Sequence, residues 1–392
     1  MPKHLTDRRS FLSNAMLASA GMFAAPPLGL LARASQEQLR PLAPVKVARN
    51  RIIRTVVGLR PFRPEGFVVR AERVGNKLLI HNYGHGGSGV TLSWGTSSLA
   101  VDLAREAVSA PVRRGSRTRQ KRFAVLGCGV VGLSTARLLQ QRFQDRGETV
   151  TIYARDLPPD TTSNIAGALW HASSPFDQDR VTEVFNQQFE QACRISHRTF
   201  QGYVDRDYGV GWLDAYEFLS NERSLQRDLT CGTMPYSAME IHRDPQRYFG
   251  YQYTRQFSTL MIEPFTYLRA LMRDFYQAGG RIVVRDFRNR EEISRLPETV
   301  VFNCTGLGAR DLFGDQILTP VRGQLEILLP QPEVDYCYLS NAGHMFPRRD
   351  GIVLGGTWDR HDWSLAPNPE QTTSILEGHL SVMNRTHLPR TG

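Results

Sequence analysis

Two glycine-dense stretches carry the chemistry that residue type and spacing make legible. Phe123 to Ser134 reads FAVLGCGVVGLS, and Gly127, Gly129 and Gly132 fit G-x-G-x-x-G between a short apolar strand and a helix start. In that pattern the first glycine makes the turn, the second admits a pyrophosphate to the backbone, and the third lets the helix pack close. The pyrophosphate sits on the helix N-terminal amides, beside Val130 and Val131. A plain strand-to-helix turn uses the same residues, so context decides. The other stretch, Ile80 to Gly95, reads IHNYGHGGSGVTLSWG. From Gly84 to Thr91 it holds too many glycines for a helix or a packed strand, which suits backbone amides facing a ligand. Together the two stretches point to a flavin.

Other reactive side chains are set aside on spacing. His81 and His85 stand four apart, but Gly84, Gly86 and Gly87 oppose the helix that would pair them on a metal, and Cys128, Cys193, Cys231, Cys304 and Cys337 have no zinc spacing. No metal site is expected. Cys128, inside the glycine turn, and Cys304, ending an apolar strand, are expected as small core residues rather than nucleophiles, with a disulfide among the others left open.

The flanking elements supply the context. Leu133 to Phe143 is apolar at helical spacing, and Thr149 to Tyr153 (TVTIY) is a second strand followed by Arg155 and Asp156, about where a ribose-binding acid is expected. Arg281 to Val284 and Thr299 to Asn303 read as further strands of this sheet, after a helix over Phe265 to Ala278. A helix over about Ser97 to Ala107 is predicted to follow the Gly84–Thr91 loop and to favour a reduced, anionic flavin at its N-terminus. With 392 residues, 41% of them hydrophobic, the chain can bury one large or two moderate cores. The net charge of +10 lies largely in Pro111 to Arg122 and in scattered arginines, and no nucleic-acid-binding motif accompanies it.

With these motifs in hand, the chain resembles the D-amino-acid oxidases, flavoenzymes of the DAO superfamily. The likeness rests on FAVLGCGVVGLSTARLL, TIYARDLPPDTTSNIAGALW (Thr151 to Trp170), VVFNCTGLGARDLFGD (Val300 to Asp315), PVRGQ (Pro320 to Gln324), GLRPFRP (Gly58 to Pro64) and the IHNYGHGGSG run. It covers about Val45 to Met383. The resemblance implies an α/β fold, in which a Rossmann-like FAD-binding domain is interleaved with a mixed-sheet substrate domain. It implies FAD contacts from Gly86, Gly87, Ser88, Gly89, Val90, Thr91, Thr162, Ser163, Gly167, Ala168, Leu169 and Gly306, with Arg155 and Asp156 at the adenosine end. Arg60 takes the place of the arginine that pairs with the substrate carboxylate, Arg63 being its most easily mistaken neighbour, and Gly87 offers its carbonyl to the substrate amine. The chain departs from the family at His344, where a pocket-lining tyrosine is usual. That histidine is expected either to hydrogen-bond a carboxylate, favouring acidic or polar side chains if protonated, or to lie at the surface, with Tyr338 or Tyr336 supplying the missing hydroxyl.

The implied activity is oxidation of D-amino acids to 2-oxo acids with ammonia and hydrogen peroxide, oxygen being the acceptor. The alternatives are a glycine or other amine oxidase, a dehydrogenase using another acceptor, and an inactive flavin-binding protein. The implied segments are 66–176 and 255–320 for FAD, with a basic linker at 108–122, and 45–65, 177–254 and 321–392 for substrate.

The order of the motifs is unusual for the family. There, the GLRP and HNYGHGG segments come last, whereas here they come first, and the chain stops shortly after a helical stretch at Pro369 to Met383. This is the pattern of a circular permutation, with the old termini joined through Ala104 to Arg122. Upstream, Thr6 to Leu12 (TDRRSFL), an apolar run from Ala15 to Leu31 and Ala32-Arg33-Ala34 resemble a twin-arginine export signal over residues 1–34. The expectation is a periplasmic protein handled by the twin-arginine machinery, with no stable membrane anchor because Pro26 and Pro27 interrupt the run, and with a homodimer possible.

Overall fold

Strand-forming sequence alternates with helical sequence along most of the chain, and in the computed structural model it resolves, among the described residues, into a nine-stranded sheet, a six-stranded sheet and a two-stranded ribbon. The structure describes residues 41–109, 122–143, 148–167, 169–172, 175–226, 230–231, 234–235, 237–245 and 248–385. The strands begin with β1 (Ile52–Phe62), β2 (Val68–Val74), β3 (Lys77–Tyr83), β4 (Arg122–Leu126), β5 (Thr149–Ala154) and β6 (Val210–Leu219). They continue with β7 (Thr230–Cys231), β8 (Met234–Pro235), β9 (Ser237–His242), β10 (Tyr253–Ile262), β11 (Arg281–Val284) and β12 (Val300–Asn303). The last are β13 (Thr319–Leu328), β14 (Tyr336–Ser340), β15 (Gly343–Arg348), β16 (Gly351–Gly355) and β17 (Asp359–Arg360). The helices are α1 (Gly89–Ser109), α2 (Val130–Phe143), α3 (Thr162–Ile165), α4 (Glu183–Gln201), α5 (Pro264–Gln277), α6 (Arg290–Ser294), α7 (Ala309–Phe313) and α8 (Pro369–Met383).

The smaller sheet runs β11-β5-β4-β12-β3-β2 and is parallel except at β2. Its central strands are continuous apolar runs because helices cover the sheet: Phe123 to Leu126 and Phe302 are fully buried. In α2 the residues Leu133, Ala136, Leu139 and Phe143 recur at helical spacing and are buried on one side. On α4 the buried stripe is Phe185, Phe189, Ala192, Cys193, Ser196 and Phe200, and Thr182 caps its start by accepting from the Phe185 amide at 3.2 Å. α1 and α4 cross closely at Gly95, where any side chain would run into the Ala192 carbonyl.

The larger sheet is mixed, in the order β1-β13-β16-β15-β14-β6-β10-β9, with β17 beside β13. Only the β14–β6 pairing is parallel. Two of the expected boundaries move. The boundary at 255 falls inside β10, which pairs with β6 and β9 of the larger sheet. α4, inside the stretch 177–254 assigned to the substrate domain, packs on α1 next to the smaller sheet. The predicted helix at Ser97 in fact starts at Gly89, because a single 3-10 turn at Gly86–Ser88 suffices to reverse the chain after β3.

Three cysteines, Cys128, Cys304 and Cys337, are free and buried, and Cys193 is disulfide-bonded. Burial pushes the Cys128 and Cys304 thiols up to about 12, so neither is a ready thiolate. Among the described residues no helix is long and apolar enough to cross a membrane. The proposed signal over 1–34 lies outside the described residues, as do positions 110–121 of the basic linker.

Candidate active site

The parallel strands β5, β4, β12 and β3 end side by side, in register Tyr153–Leu126 and Leu126–Asn303–His81. The chain leaving each strand at that edge therefore meets the others, which is where open α/β sheets bind ligands. β4 opens into Gly127, Gly129 and α2, β3 into Gly86–Ser88 and α1, β5 into Arg155 and Asp156, and β12 into Gly306.

Each glycine of the turn has its own reason. Gly127 has φ +105°, and a side chain there would strike the Cys304 carbonyl. At Gly132 a side chain would strike the Gly127 carbonyl, so the third glycine sets how near α2 lies to β4. Gly129 is different: an added Cβ would meet only the Ser163 Oγ, at 3.1 Å, leaving an open cradle at the start of α2. Ser163 accepts a hydrogen bond from the Val130 amide at 3.0 Å and thereby draws α3 and Thr162 to the same place. Such a cradle, two helix starts with Val130, Val131 and Gly89 to Thr91 in their first turns, and little bulk between them fit the pyrophosphate and ring of an adenine dinucleotide. Arg155 and Asp156 pair at 2.8 Å on the surface beyond β5, and this contact raises the Arg155 pKa.

The remaining expected contacts bridge the two sheets. Leu169 is bridged to Met261, the Trp170 amide donates to the Leu260 carbonyl at 2.7 Å, and Thr91 Oγ1 donates to the His171 carbonyl at 3.0 Å. Gly167 lies against Phe346, and Gly306, at φ +57°, is 3.9 Å from Pro61 in the same sense of an added Cβ. Ala168 lies outside the described residues.

Arg60 reaches this edge through β1. Phe62 bridges to His85, so Arg60, two residues earlier, is carried to the side of the Gly86–Gly87 turn. Its Nη1 donates to the carbonyls of Thr357 at 3.2 Å and Arg322 at 3.5 Å. Among the described residues no carboxylate pairs with it, and its Nε and Nη2 make no hydrogen bond. Burial lowers its pKa, opposed by the Asp359 charge, although a guanidinium stays charged at any physiological pH. Arg63 is spent on structure: its Nε donates to Asp315 at 2.8 Å, and Tyr83 donates to the same carboxylate.

His344 lies close to Arg60, on the same face of β15 as Phe346, on which its ring stacks at 4.8 Å. It is partly enclosed rather than at the open surface. Burial, with the nearby charge of Arg60 and the imidazoles of His379 and His171, lowers its pKa to about 3. The expectation of a protonated histidine selecting acidic side chains is thereby corrected: with its pKa lowered to about 3 the ring is neutral at ordinary pH. The expectation for Tyr338 and Tyr336 is corrected as well. Both are fully buried on the opposite face of the sheet, under α8, where Tyr338 meets His379 Nδ1 at 2.5 Å and Tyr336 donates to the Ala43 carbonyl at 2.8 Å. The period-two alternation of a strand turns both tyrosines away together. His81 and His85 are separated by partner: His81 Nδ1 contacts Asn303 at 3.0 Å, whereas His85 Nε2 contacts Thr96 at 2.9 Å.

The family model for FAD-dependent oxidoreductases of the DAO type matches residues 25–103 and 122–389. The chain belongs to that family. DAO-family relatives include a D-aspartate oxidase from Homo sapiens, 30% identical over 259 residues (65% of this chain, 74% of the relative), and a D-amino acid oxidase from Dugesia ryukyuensis, 27% identical over 271 residues (67% and 77%). The fold is similar to glycine oxidase from Bacillus cereus ATCC 14579, with TM-score 0.50 and 17% identity over 66% of this chain and 77% of that one. It is equally similar to L-proline dehydrogenase from P. horikoshii, with TM-score 0.50 and 15% identity over 67% and 76%. As a member of the DAO family the chain is an FAD-dependent oxidoreductase.

Two further residues shape the site and were not singled out from the sequence. Gly323 lies against the Arg60 guanidinium and Trp358 covers it, at 5.3 Å from Cζ to the ring centroid. Gly323 lies within the PVRGQ motif, and Trp358 sits in a loop with no periodicity.

Proposed function

We propose that this protein oxidises D-amino acids to 2-oxo acids and ammonia, by way of the imino acid, with oxygen reduced to hydrogen peroxide. The observation that carries the reading is the uncommitted Nε–Nη2 edge of Arg60 beside the Gly86–Gly87 turn. A guanidinium edge of this kind matches a carboxylate through two parallel hydrogen bonds. FAD, when bound, supplies the two-electron acceptor for the α-hydrogen. The chain's own residues bind and orient. Arg60 holds the carboxylate, the Gly87 carbonyl accepts from the amine, and neutral His344 lines the side-chain end of the pocket. With carboxylate, amine and α-hydrogen each given a direction, one enantiomer alone can place its side chain without a clash. The relatives named for D-amino acid and D-aspartate oxidation support the choice of the D series. Anaerobic mixing with matched D- and L-amino acids tests it: bleaching of the visible flavin band by the D series alone supports the reading, and bleaching by L isomers or by none removes it.

The circular permutation belongs to the same proposal. Its support is that the family model matches two blocks flanking 104–121, and that Val45 and Met383 are in contact, so a chain continuing from α8 into β1 is short to draw. Export by the twin-arginine route to the periplasm is also proposed, on the Arg8-Arg9 segment. The disulfide at Cys193 supports an oxidising compartment. Replacing Arg8 and Arg9 by lysine and fractionating the cells is the check: retention in the cytoplasm is expected, and unchanged export would overturn it.

A further inference from the structure

We infer that Trp358 is a positioning residue for substrate binding, one that holds the Arg60 guanidinium with its Nε–Nη2 edge toward the substrate carboxylate. The inference rests on the reading of Arg60 as the carboxylate site. Three observations carry it. First, Arg60 Cζ lies over the Trp358 ring at 5.3 Å, and Arg60 Nη1 donates to the carbonyl of the preceding residue, Thr357, at 3.2 Å. One short segment therefore fixes both the plane of the guanidinium and one of its corners. Second, the backbone of Gly323 closes the group in: a Cβ there would stand 2.5 Å from Nη2 and 2.6 Å from Cζ. Between Gly323 and Trp358 the guanidinium has little room to rotate, and its hydrogen bonds use Nη1 alone, leaving Nε and Nη2 without a hydrogen-bond partner among the described residues.

Third, Trp358 is itself held. Its ring packs edge-on to Phe62 at 5.8 Å, and Arg360 Cζ lies over the other partner, Phe62, at 4.7 Å while pairing with Asp177 at 2.7 Å. Behind the segment, Arg322 is fully buried and donates to the carbonyls of Ser364 at 3.1 Å and Ala366 at 2.7 Å. The loop bearing Trp358 is thus tied at three points, although Trp358 is 37% exposed. An indole so exposed and yet so anchored serves the group beneath it. Cation–π contact with a desolvated guanidinium is among the stronger of its kind, with tryptophan the best ring.

The experiment compares the FAD-loaded wild type with Trp358→Phe, Trp358→Leu and Arg60→Met. It measures the dissociation constant of benzoate, a carboxylate with no amine and no α-hydrogen, from the perturbation of flavin absorbance, together with kcat and KM for a D-amino acid that the wild type turns over. Trp358→Leu is expected to weaken benzoate and raise KM by about three- to tenfold, with the loss falling on KM rather than kcat, while Trp358→Phe recovers most of it. A merely structural tryptophan would not show that aromatic rescue. Equal affinity in Trp358→Leu and wild type, or no rescue by phenylalanine, overturns the inference. If Arg60→Met binds benzoate as wild type does, the carboxylate reading itself fails. If Arg60→Met loses benzoate but Trp358→Leu does not, only the role of Trp358 falls.

Discussion

Gly323 and Arg60 touch across neighbouring strands: the register of β1 on β13 sets Gly58 opposite Gly323, and the guanidinium two residues on folds back over the glycine's backbone. A glycine is needed there by space, since its neighbours are in ordinary extended pairing.

Gly323→Ala should therefore displace the guanidinium. A charge-assisted hydrogen bond to a carboxylate contributes ~1.5–3 kcal/mol, so the expected rise in KM is about tenfold or more. FAD content should remain near that of wild type, because Gly323 belongs to β13 of the larger sheet and Gly127 follows β4 of the smaller one. Steady-state kinetics with flavin quantified by absorbance decides. Unchanged KM would show that Arg60 is held by something else.

The glycines of the turn should differ in what they break. Gly132→Ala drives a methyl group into the Gly127 carbonyl and should lower the melting temperature even without cofactor. Gly129→Ala meets only Ser163 Oγ at 3.1 Å, so the apo fold should survive while FAD affinity falls. Melting of the apo forms beside cofactor titration separates the two; equal melting losses would contradict the assignment.

Acid should destabilise the fold through its buried histidines. Burial lowers His85 to about 3, and His81 and His379 to about 4, from an ordinary value near 6.5. Above pH ~6.5 these rings are neutral folded or unfolded; as pH falls toward 4 the unfolded chain takes up protons that the native state refuses, and stability is lost. Denaturant unfolding from pH 7.5 to 4.5 should show this slope, and His379→Asn should flatten it. His344, lowered to about 3, should contribute no inflection to kcat/KM between pH 5 and 8. A titration near pH 6.5 that vanishes in His344→Asn would contradict its placement.

The order of the chain can be reversed by design. The Val45 amide donates to Met383 Sδ at 3.2 Å, and the Lys46 amide to Gln331 at 2.8 Å, so the strand entering β1 is already fixed beside the end of α8. A chain opened between Ser109 and Arg122 and joined from α8 to Val45 by a short flexible linker should bind FAD with about the affinity of the natural order. Loss of flavin in that variant, with the fold intact by circular dichroism, would count against the permutation.

The parts of the site that were legible in the sequence are those where backbone geometry dictates residue type. The Gly127–Gly132 turn demands a left-handed residue and two close approaches, and those demands leave only glycine. α1 starts eight residues before the predicted Ser97 because the same glycine density that signals a loop also permits a tight turn into a helix, with Gly89 in its first position. Tyr338 was misassigned because its face is set by the pairing of β14 with β6 and β15, which no local pattern reveals. Trp358 was invisible for a related reason: its contact with Arg60 depends on β1 pairing with β13 and on Arg322 holding the 359–366 segment, all distant in sequence.

The most direct test is anaerobic reduction of the purified FAD-loaded protein by D- and L-amino acids, in wild type and Arg60→Met. The account predicts rapid bleaching by D isomers only. In the variant, two lost charge-assisted hydrogen bonds, about 3–6 kcal/mol together, correspond to a drop of about 10²–10⁴-fold in kcat/KM. Bleaching by L isomers, or a variant that reduces as fast as wild type, would contradict it.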